Sequence, residues 1–67
     1  MTPEKFDALA KLAGLHQSAS RDAARLVFVS GLPVTEAAHQ VMITQQGANQ
    51  AVLRCRRALD LARVVTA

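Results

Sequence analysis

The chain has 67 residues, of which 51% are hydrophobic and 19% are charged, and its formal net charge is +3. This length allows one small domain, and we expect a thin core because the sequence has two phenylalanines and neither tryptophan nor tyrosine. The single cysteine excludes an intrachain disulfide, and Cys/His pairs at ligand spacing are absent, so we expect no metal and no cofactor.

The N-terminal segment does not have the pattern of a secretory signal, because it has acidic residues in its first turn and lacks a continuous apolar stretch. The sequence also has no run of about 18 apolar residues, which a membrane-spanning helix would need. We therefore expect a cytoplasmic protein that does not enter a membrane.

Charge is unevenly distributed along the chain. Basic and acidic residues balance from Met1 to Ile43, whereas from Thr44 onward the arginines outnumber the single acid, Asp60. A local positive field of this kind attracts a polyanion, although a basic helix is equally suited to a membrane surface or an acidic protein.

Helix 1 has a well-marked start, since Thr2 is a capping residue and Pro3 suits the first helical position. Gly14 is predicted to end the helix. The residues predicted to share its inner face are Phe6, Leu9, Ala10 and Ala13.

Helix 2 is predicted to begin at Ser18 or Ser20 and to run to about Ser30, with Gly31 as its stop. Residues 26–30 are rich in β-branched and aromatic side chains, but the chain offers no partner strand, which favours a helix. The residues expected on its inner side are Ala19, Ala23, Leu26, Val27 and Ser30.

Helix 3 is predicted to be short and to be capped by Thr35 or by the residue before it. Its inward residues would be Val34, Ala37, Ala38 and Val41. Thr44 then caps a long helix 4, which completes an all-α fold of four helices. The apolar stripe of helix 4 comprises Ala48, Ala51, Val52, Cys55, Ala58, Leu59 and Ala62.

Residues 34–57 have the spacing of a helix-turn-helix. A small residue, Ala38, precedes the turn, Ile43 lies in it, Thr44 caps the next helix, and Ala48 follows four residues later. Ala38, Ile43 and Ala48 would pack the two helices together, because only small side chains allow a close crossing. An alanine-rich helical hairpin with no DNA-binding role has the same pattern and remains the alternative.

One side of helix 4 carries the candidate DNA contacts. Side-chain amides present a donor and an acceptor together to adenine, whereas arginine pairs with guanine or, more often, with phosphate. The predicted base contacts are Gln45, Gln46, Asn49 and Gln50. The predicted backbone contacts are Thr44, Arg54, Arg56 and Arg57. The alternative for each of these residues is a solvated helix face.

The remaining reactive side chains suggest no chemistry. Cys55 lies in the apolar stripe and is interpreted as a small buried hydrophobe, while His16 and His39 are interpreted as exposed residues without a role. The acidic residues lie mainly at helix starts and form no catalytic pair, so we expect neither an enzyme nor a small-molecule substrate.

The end of helix 4 carries apolar residues that lie off its inner stripe, namely Leu61, Val64 and Val65. A second subunit would cover them, and a chain this short is expected to gain stability by self-association. Two recognition helices held about 34 Å apart would then read a palindrome. A frayed, partly ordered tail is the competing interpretation.

One set of positions matches a known family of DNA-binding domains: Ile43 and Thr44, Gly47 and Ala48, Gln50 to Val52 with Arg54, and more weakly residues 2–6, 24–25 and 31–33. Through these positions, approximately residues 2–61 resemble the DNA-binding domain of the TrfB/KorA family of plasmid transcriptional repressors. The resemblance implies a homodimeric repressor on a short palindromic operator, with Thr44, Gln45 and Gln50 at base or backbone contacts.

Three features depart from that family. Met42 replaces the usual glycine of the turn, which would place a non-glycine residue in a strained left-handed conformation. Gln45 stands where arginine is common, which implies a different operator sequence. The separate dimerisation segment of longer members is absent, so dimerisation would use helix 4 or helix 1 unless the chain is a fragment.

The sequence thus predicts a homodimeric, sequence-specific DNA-binding repressor or autoregulator. The main alternative is a small protein-interaction module that docks its basic helix on an acidic partner. A third possibility is an architectural nucleic-acid binder that uses charge alone and ignores sequence.

Overall fold

A computed structural model describes residues 1–66 of the chain. Over those residues it contains helices only, which confirms the all-α, four-helix prediction and the long last helix. The helices are α1 (Pro3–Leu12), α2 (Ala19–Phe28), α3 (Val34–Gln40) and α4 (Gln45–Thr66). None of these helices is long and apolar enough to cross a bilayer. The described residues also contain no group of three His, Cys, Asp or Glu side chains that could hold a metal ion.

Local capping fixes the starts of α1 and α2. The Thr2 hydroxyl accepts a hydrogen bond from the Lys5 backbone N–H at 3.2 Å, and the Ser18 hydroxyl accepts one from Arg21 at 3.3 Å. Ser18 is therefore the cap of α2, and Ser20 lies inside the helix. Both caps satisfy a backbone donor that has no partner within its own helix.

The predicted cap of α3 is wrong, because neither Thr35 nor the residue before it occupies that position. The cap is Pro33, whose φ of −60° and ψ of 150° set the chain direction without any side-chain hydrogen bond. The Pro33 carbonyl accepts the first intrahelical bond from the Ala37 N–H at 3.0 Å. Proline suits a helix start because its fixed φ is already close to the helical value.

The helical interpretation of residues 26–30 is confirmed as far as Phe28, where α2 ends. Gly31, at a φ of +74°, then reverses the chain so that the Leu32 N–H donates to the Leu26 carbonyl at 3.1 Å. Two of the predicted inner residues are wrong, since Ala19 and Ser30 are exposed at the ends of the element.

Ala24 is buried instead, next to Ala23, because α2 packs against all three other helices. A helix with neighbours on several sides has a wider inner face than a single apolar stripe suggests.

Two buried clusters hold the helices together. The first joins α1, α2 and α4, and a stacked pair of rings, Phe6 and Phe28, lies in it with centroids 6.3 Å apart. Its buried members are Phe6, Leu9, Ala10, Ala24, Ala51, Val52 and Cys55. The second joins α2, α3 and α4 and consists of alanines, which are Ala23, Ala37, Ala38 and Ala48. The alanine side chains allow the second set of helices to approach closely.

Candidate nucleic-acid interface

A tight corner at residues 41–44 connects α3 to α4. Met42 has a φ of +60°, which confirms the expected left-handed conformation, and its side chain is 91% exposed. The Ile43 N–H donates to the Ala38 carbonyl at 3.1 Å. The corner thus provides a backbone donor for a carbonyl in the last turn of α3. The left-handed conformation costs a non-glycine residue about 1–2 kcal/mol.

Thr44 caps α4, as predicted. Its hydroxyl accepts a hydrogen bond from the Gly47 N–H at 3.1 Å, and its carbonyl accepts one from the Ala48 N–H at 3.1 Å. A Cβ added to Gly47 would stand 3.3 Å from the Thr44 hydroxyl oxygen, so a side chain there would press on the cap. The contact of Thr44 with a phosphate stays a prediction.

Small side chains form the contact between α3 and α4. Ala38 and Ala48 are buried in the same cluster, and half-buried Ile43 packs against that cluster. The structure therefore brings the three predicted packing residues together. Their small volume lets the backbone of α4 lie close to α3. Close packing against α3 therefore fixes the position of the first turns of α4.

The outer face of α4 lies opposite its buried alanines. We define it by five exposed residues: Gln46, Asn49, Gln50, Leu53 and Arg57. Gln45 is also exposed, at one edge of this face. The amide side chains of residues 45–50 span only about 8 Å along the axis at the helical rise of about 1.5 Å per residue. Four polar side chains thus lie together at the N-terminal end of the helix.

The three predicted phosphate-binding arginines are all exposed but lie at different angles around α4. Arg57 is on the outer face, whereas Arg54 and Arg56 are two residues apart and therefore about 200° apart around the helix. The Arg54 Nη2 atom lies 3.7 Å from the point where a Cβ on Gly14 would stand, beside the α1–α2 connection. Arg54 and Arg56 thus flank the outer face on opposite sides.

The α1–α2 connection lies beside the N-terminal half of α4, which periodicity did not predict. Leu15 and Ser20 share a cleft with Gly47, Gln50 and Arg54. Helical periodicity shows which face of α1 is apolar. It does not show that the end of α1 lies beside the outer face of α4. Gly14 predicted where α1 ends, but a pattern within α1 does not show which helix the following turn contacts.

The reactive side chains outside this face have ordinary structural environments. Burial raises the pKa of the Cys55 thiol, and the positive charge of Arg54 opposes part of that shift. The thiol is therefore held in its protonated, weakly nucleophilic form. Arg21 forms an ion pair with Asp7 at 3.1 Å that links α2 to α1. His16 and His39 are both exposed.

The apolar residues near the end of α4 divide into two sets. Leu61 and Val65 line a groove of about 380 Å³ together with Ala58, Ala62 and Leu12 of α1, and we call this the C-terminal groove. Val64 is exposed but does not line it. Sequence reasoning missed Leu12, because the contribution of α1 depends on how the two helices pack.

No family model matches the chain, and neither a curated protein nor a solved structure matches it. The resemblance to the TrfB/KorA repressors therefore stays a hypothesis based on the matching positions alone. The proposed function therefore depends on the geometry of α3, α4 and the elements beside them.

Proposed function

We propose that the chain is a cytoplasmic, sequence-specific double-stranded DNA-binding protein that acts as a transcriptional repressor or autoregulator. In this proposal residues 34–57 form a helix-turn-helix, and the chain binds a palindromic operator as a homodimer. One observation carries the proposal: the first turns of α4 expose four amide side chains while Ala48, beneath them, is buried against α3.

The dimensions of α4 suit the major groove. The groove is about 12 Å wide, and a helix with its side chains is about 10–12 Å in diameter. Gln45, Gln46, Asn49 and Gln50 would face the base edges, where an amide donates to and accepts from adenine at the same time. Each such bidentate contact discriminates against a wrong base by about 1–3 kcal/mol.

Phosphate contacts would supply most of the affinity. Arg54 and Arg56 lie on opposite flanks of the outer face, so each would reach a different sugar-phosphate strand bordering the groove. Thr44, at the positive end of the α4 dipole, would approach a further phosphate. Binding would therefore weaken steeply as salt rises, because each neutralised phosphate releases condensed counterions.

The C-terminal groove favours a second candidate function, a protein-interaction module. In that case the basic helix would dock on an acidic partner and the apolar groove would form the centre of the contact. Such a module would show no preference among duplex sequences. An architectural binder that uses charge alone would bind duplexes but would likewise ignore their sequence.

Selection of bound duplexes from a random pool tests the proposal. We expect the selected duplexes to share an inverted repeat, because two symmetry-related copies of α4 would read the same half-site in opposite directions. A pool that stays random after several rounds would contradict the proposal. Binding that vanishes uniformly at moderate salt would then indicate the architectural alternative, and no binding at any salt would indicate the interaction module.

A further inference from the structure

We propose that the C-terminal groove binds the same groove of a second copy of this chain, so that two chains form a twofold dimer. The inference deepens the proposed function by giving the homodimer a defined surface that includes α1. Only one of its supporting steps, the spacing of the two reading faces, rests on the proposed function. The others depend on the groove itself.

The groove exposes three large apolar side chains in one patch. Leu12 is 70% exposed, Leu61 is 67% exposed and Val65 is 85% exposed. The side chains that line the groove carry no charge. Apolar side chains gathered in this way mark a contact surface, whereas single exposed leucines or valines on a protein surface do not.

The groove has the shape that a twofold contact requires. In such a contact the same patch serves both chains, so it must contain both projections and a recess. Ala58 and Ala62 are partly buried and one helical turn apart, while Leu61 and Val65 project beside them with the same spacing. The large side chains of one copy would therefore lie over the alanines of the other, at the close approach that small residues allow.

The chain exposes more surface than a monomer of its mass is expected to expose. A monomeric protein of 7.2 kDa is expected to expose about 4100 Å². The chain exposes 4621 Å². Burying the excess of about 500 Å² on each of two chains gives about 1000 Å² in total, which is the lower bound for a specific interface. A twofold contact that buries this excess would therefore reach the area that a specific interface needs.

The location of the groove matches the spacing of two half-sites. The centre of residues 45–50 lies about 21 Å along α4 from the centre of residues 58–65. A twofold axis through the groove would hold the two reading segments up to about 42 Å apart. A moderate inclination of the two helices reduces this separation to the length of one duplex turn, about 34 Å.

Salt separates dimer formation from DNA binding. Each chain carries a net charge of +3, so two free chains repel one another and added salt screens that repulsion. The apolar contact itself is insensitive to screening. Self-association should therefore stay constant or strengthen with salt over the range in which DNA binding weakens.

Sedimentation equilibrium of the whole chain without DNA tests the inference, at concentrations from micromolar to millimolar. Leu12→Glu and Leu61→Glu place a charge in the groove, whereas Val64→Glu places the same charge outside it on the same helix as Leu61. We expect the first two to weaken dimerisation at least about tenfold, and the control to stay within about twofold of the wild type. Circular dichroism checks that each variant keeps its helices.

The inference would be overturned by a wild type that stays monomeric throughout the concentration range, or by a loss for Val64→Glu equal to that for Leu61→Glu. If a glutamate variant unfolds, the uncharged Leu12→Gln replaces it, and an unchanged dimer in that variant would also contradict the groove. Because no DNA is present, a dimer that lacks sequence preference overturns only the proposed DNA reading. A monomer that reads sequence overturns the groove and the homodimer, and leaves the proposed DNA reading by α4 intact.

Discussion

The two halves of α4 differ in what supports them and in what they expose. Residues 45–55 include Ala48, Ala51 and Cys55, which are buried in the two clusters, and their outer side is mainly amide and arginine. Residues 56–65 have only partly buried inner residues, such as Ala62, and expose valine and leucine as well as charged side chains. One helix of 22 residues, about 33 Å long, therefore carries two surfaces of different chemistry.

This difference shows how a small chain can separate two tasks along one helix. Where α2 and α3 cover the inner side, the backbone is fixed and the outer side is free to carry polar groups for recognition. Where that cover ends, leucine and valine side chains are exposed beside the charged residues, and another chain could bury them. On the proposed function, the first half of α4 carries the base contacts and the second half carries the surface for self-association.

Enlarging buried Ala48, in the first half of α4, should have the largest effect on stability. Ala48→Leu forces extra volume into a contact formed by alanine side chains, which should cost about 3 kcal/mol of unfolding free energy. The same change at partly exposed Ala62 should cost less than about 1 kcal/mol, because that side of the helix is open. Urea denaturation measures both, and equal losses would show that the halves are packed alike.

Removing an amide from the outer face should weaken DNA binding selectively. Gln50→Ala should cost about 1–3 kcal/mol on the preferred duplex and much less on random DNA, because only the former uses a base contact. Gln40→Ala removes an exposed glutamine from α3 and serves as the matched control. Fluorescence anisotropy titrations at one fixed salt concentration measure both. Equal losses for Gln50→Ala on the two duplexes would remove Gln50 from the predicted base contacts.

Removing the cap of α4 should lower stability by a smaller amount than enlarging Ala48 does. Thr44→Ala deletes the hydroxyl that accepts from the Gly47 N–H at 3.1 Å, which should lower the unfolding free energy by about 1 kcal/mol. Thr44→Ser keeps the acceptor and should stay within a few tenths of a kcal/mol of the wild type. Thermal unfolding distinguishes the two variants. If serine loses as much as alanine, the hydroxyl is not the stabilising group.

Relaxing the corner before α4 should have the smallest effect on stability, and it should raise the unfolding free energy rather than lower it. Met42→Gly relieves the left-handed strain at a φ of +60° but adds chain entropy to the unfolded state, for a net gain of about 0.5 kcal/mol. Gly31→Ala is the reverse control, since its φ is +74° and an added Cβ meets no atom within 4 Å. It should lose about 1 kcal/mol. A lower melting temperature for Met42→Gly would contradict the assignment of strain.

Much of the fold could be predicted because its signals are local. Thr2 and Thr44 mark helix starts by the hydrogen bonds of a single turn, and the alanine stripe of α4 follows from its own periodicity. The turn at Met42 follows from the spacing between two helices, whereas its left-handed conformation was expected from the glycine that the TrfB/KorA repressors usually have there. In each case the residues that carry the signal are neighbours in sequence.

The rest depends on which helix covers which, and sequence periodicity does not contain that information. Ala24 is buried and Ala19 is exposed because of the positions of the neighbouring helices, not because of any pattern within α2. Leu12 reaches the C-terminal groove and Arg54 reaches Gly14 only because α1 packs along α4. The proposed base contacts were predictable as an exposed face, whereas their flanking cleft was not.

The central claim is that the amides at the start of α4 contact the bases of a specific duplex. The most direct measurement is NMR of the nitrogen-15-labelled chain titrated with the selected duplex, observing the side-chain NH₂ resonances. The account predicts large shifts for Gln45, Gln46, Asn49 and Gln50, with Gln17 and Gln40 left unchanged. Shifts confined to Gln17 and Gln40, or no shift in any of the six, would contradict it.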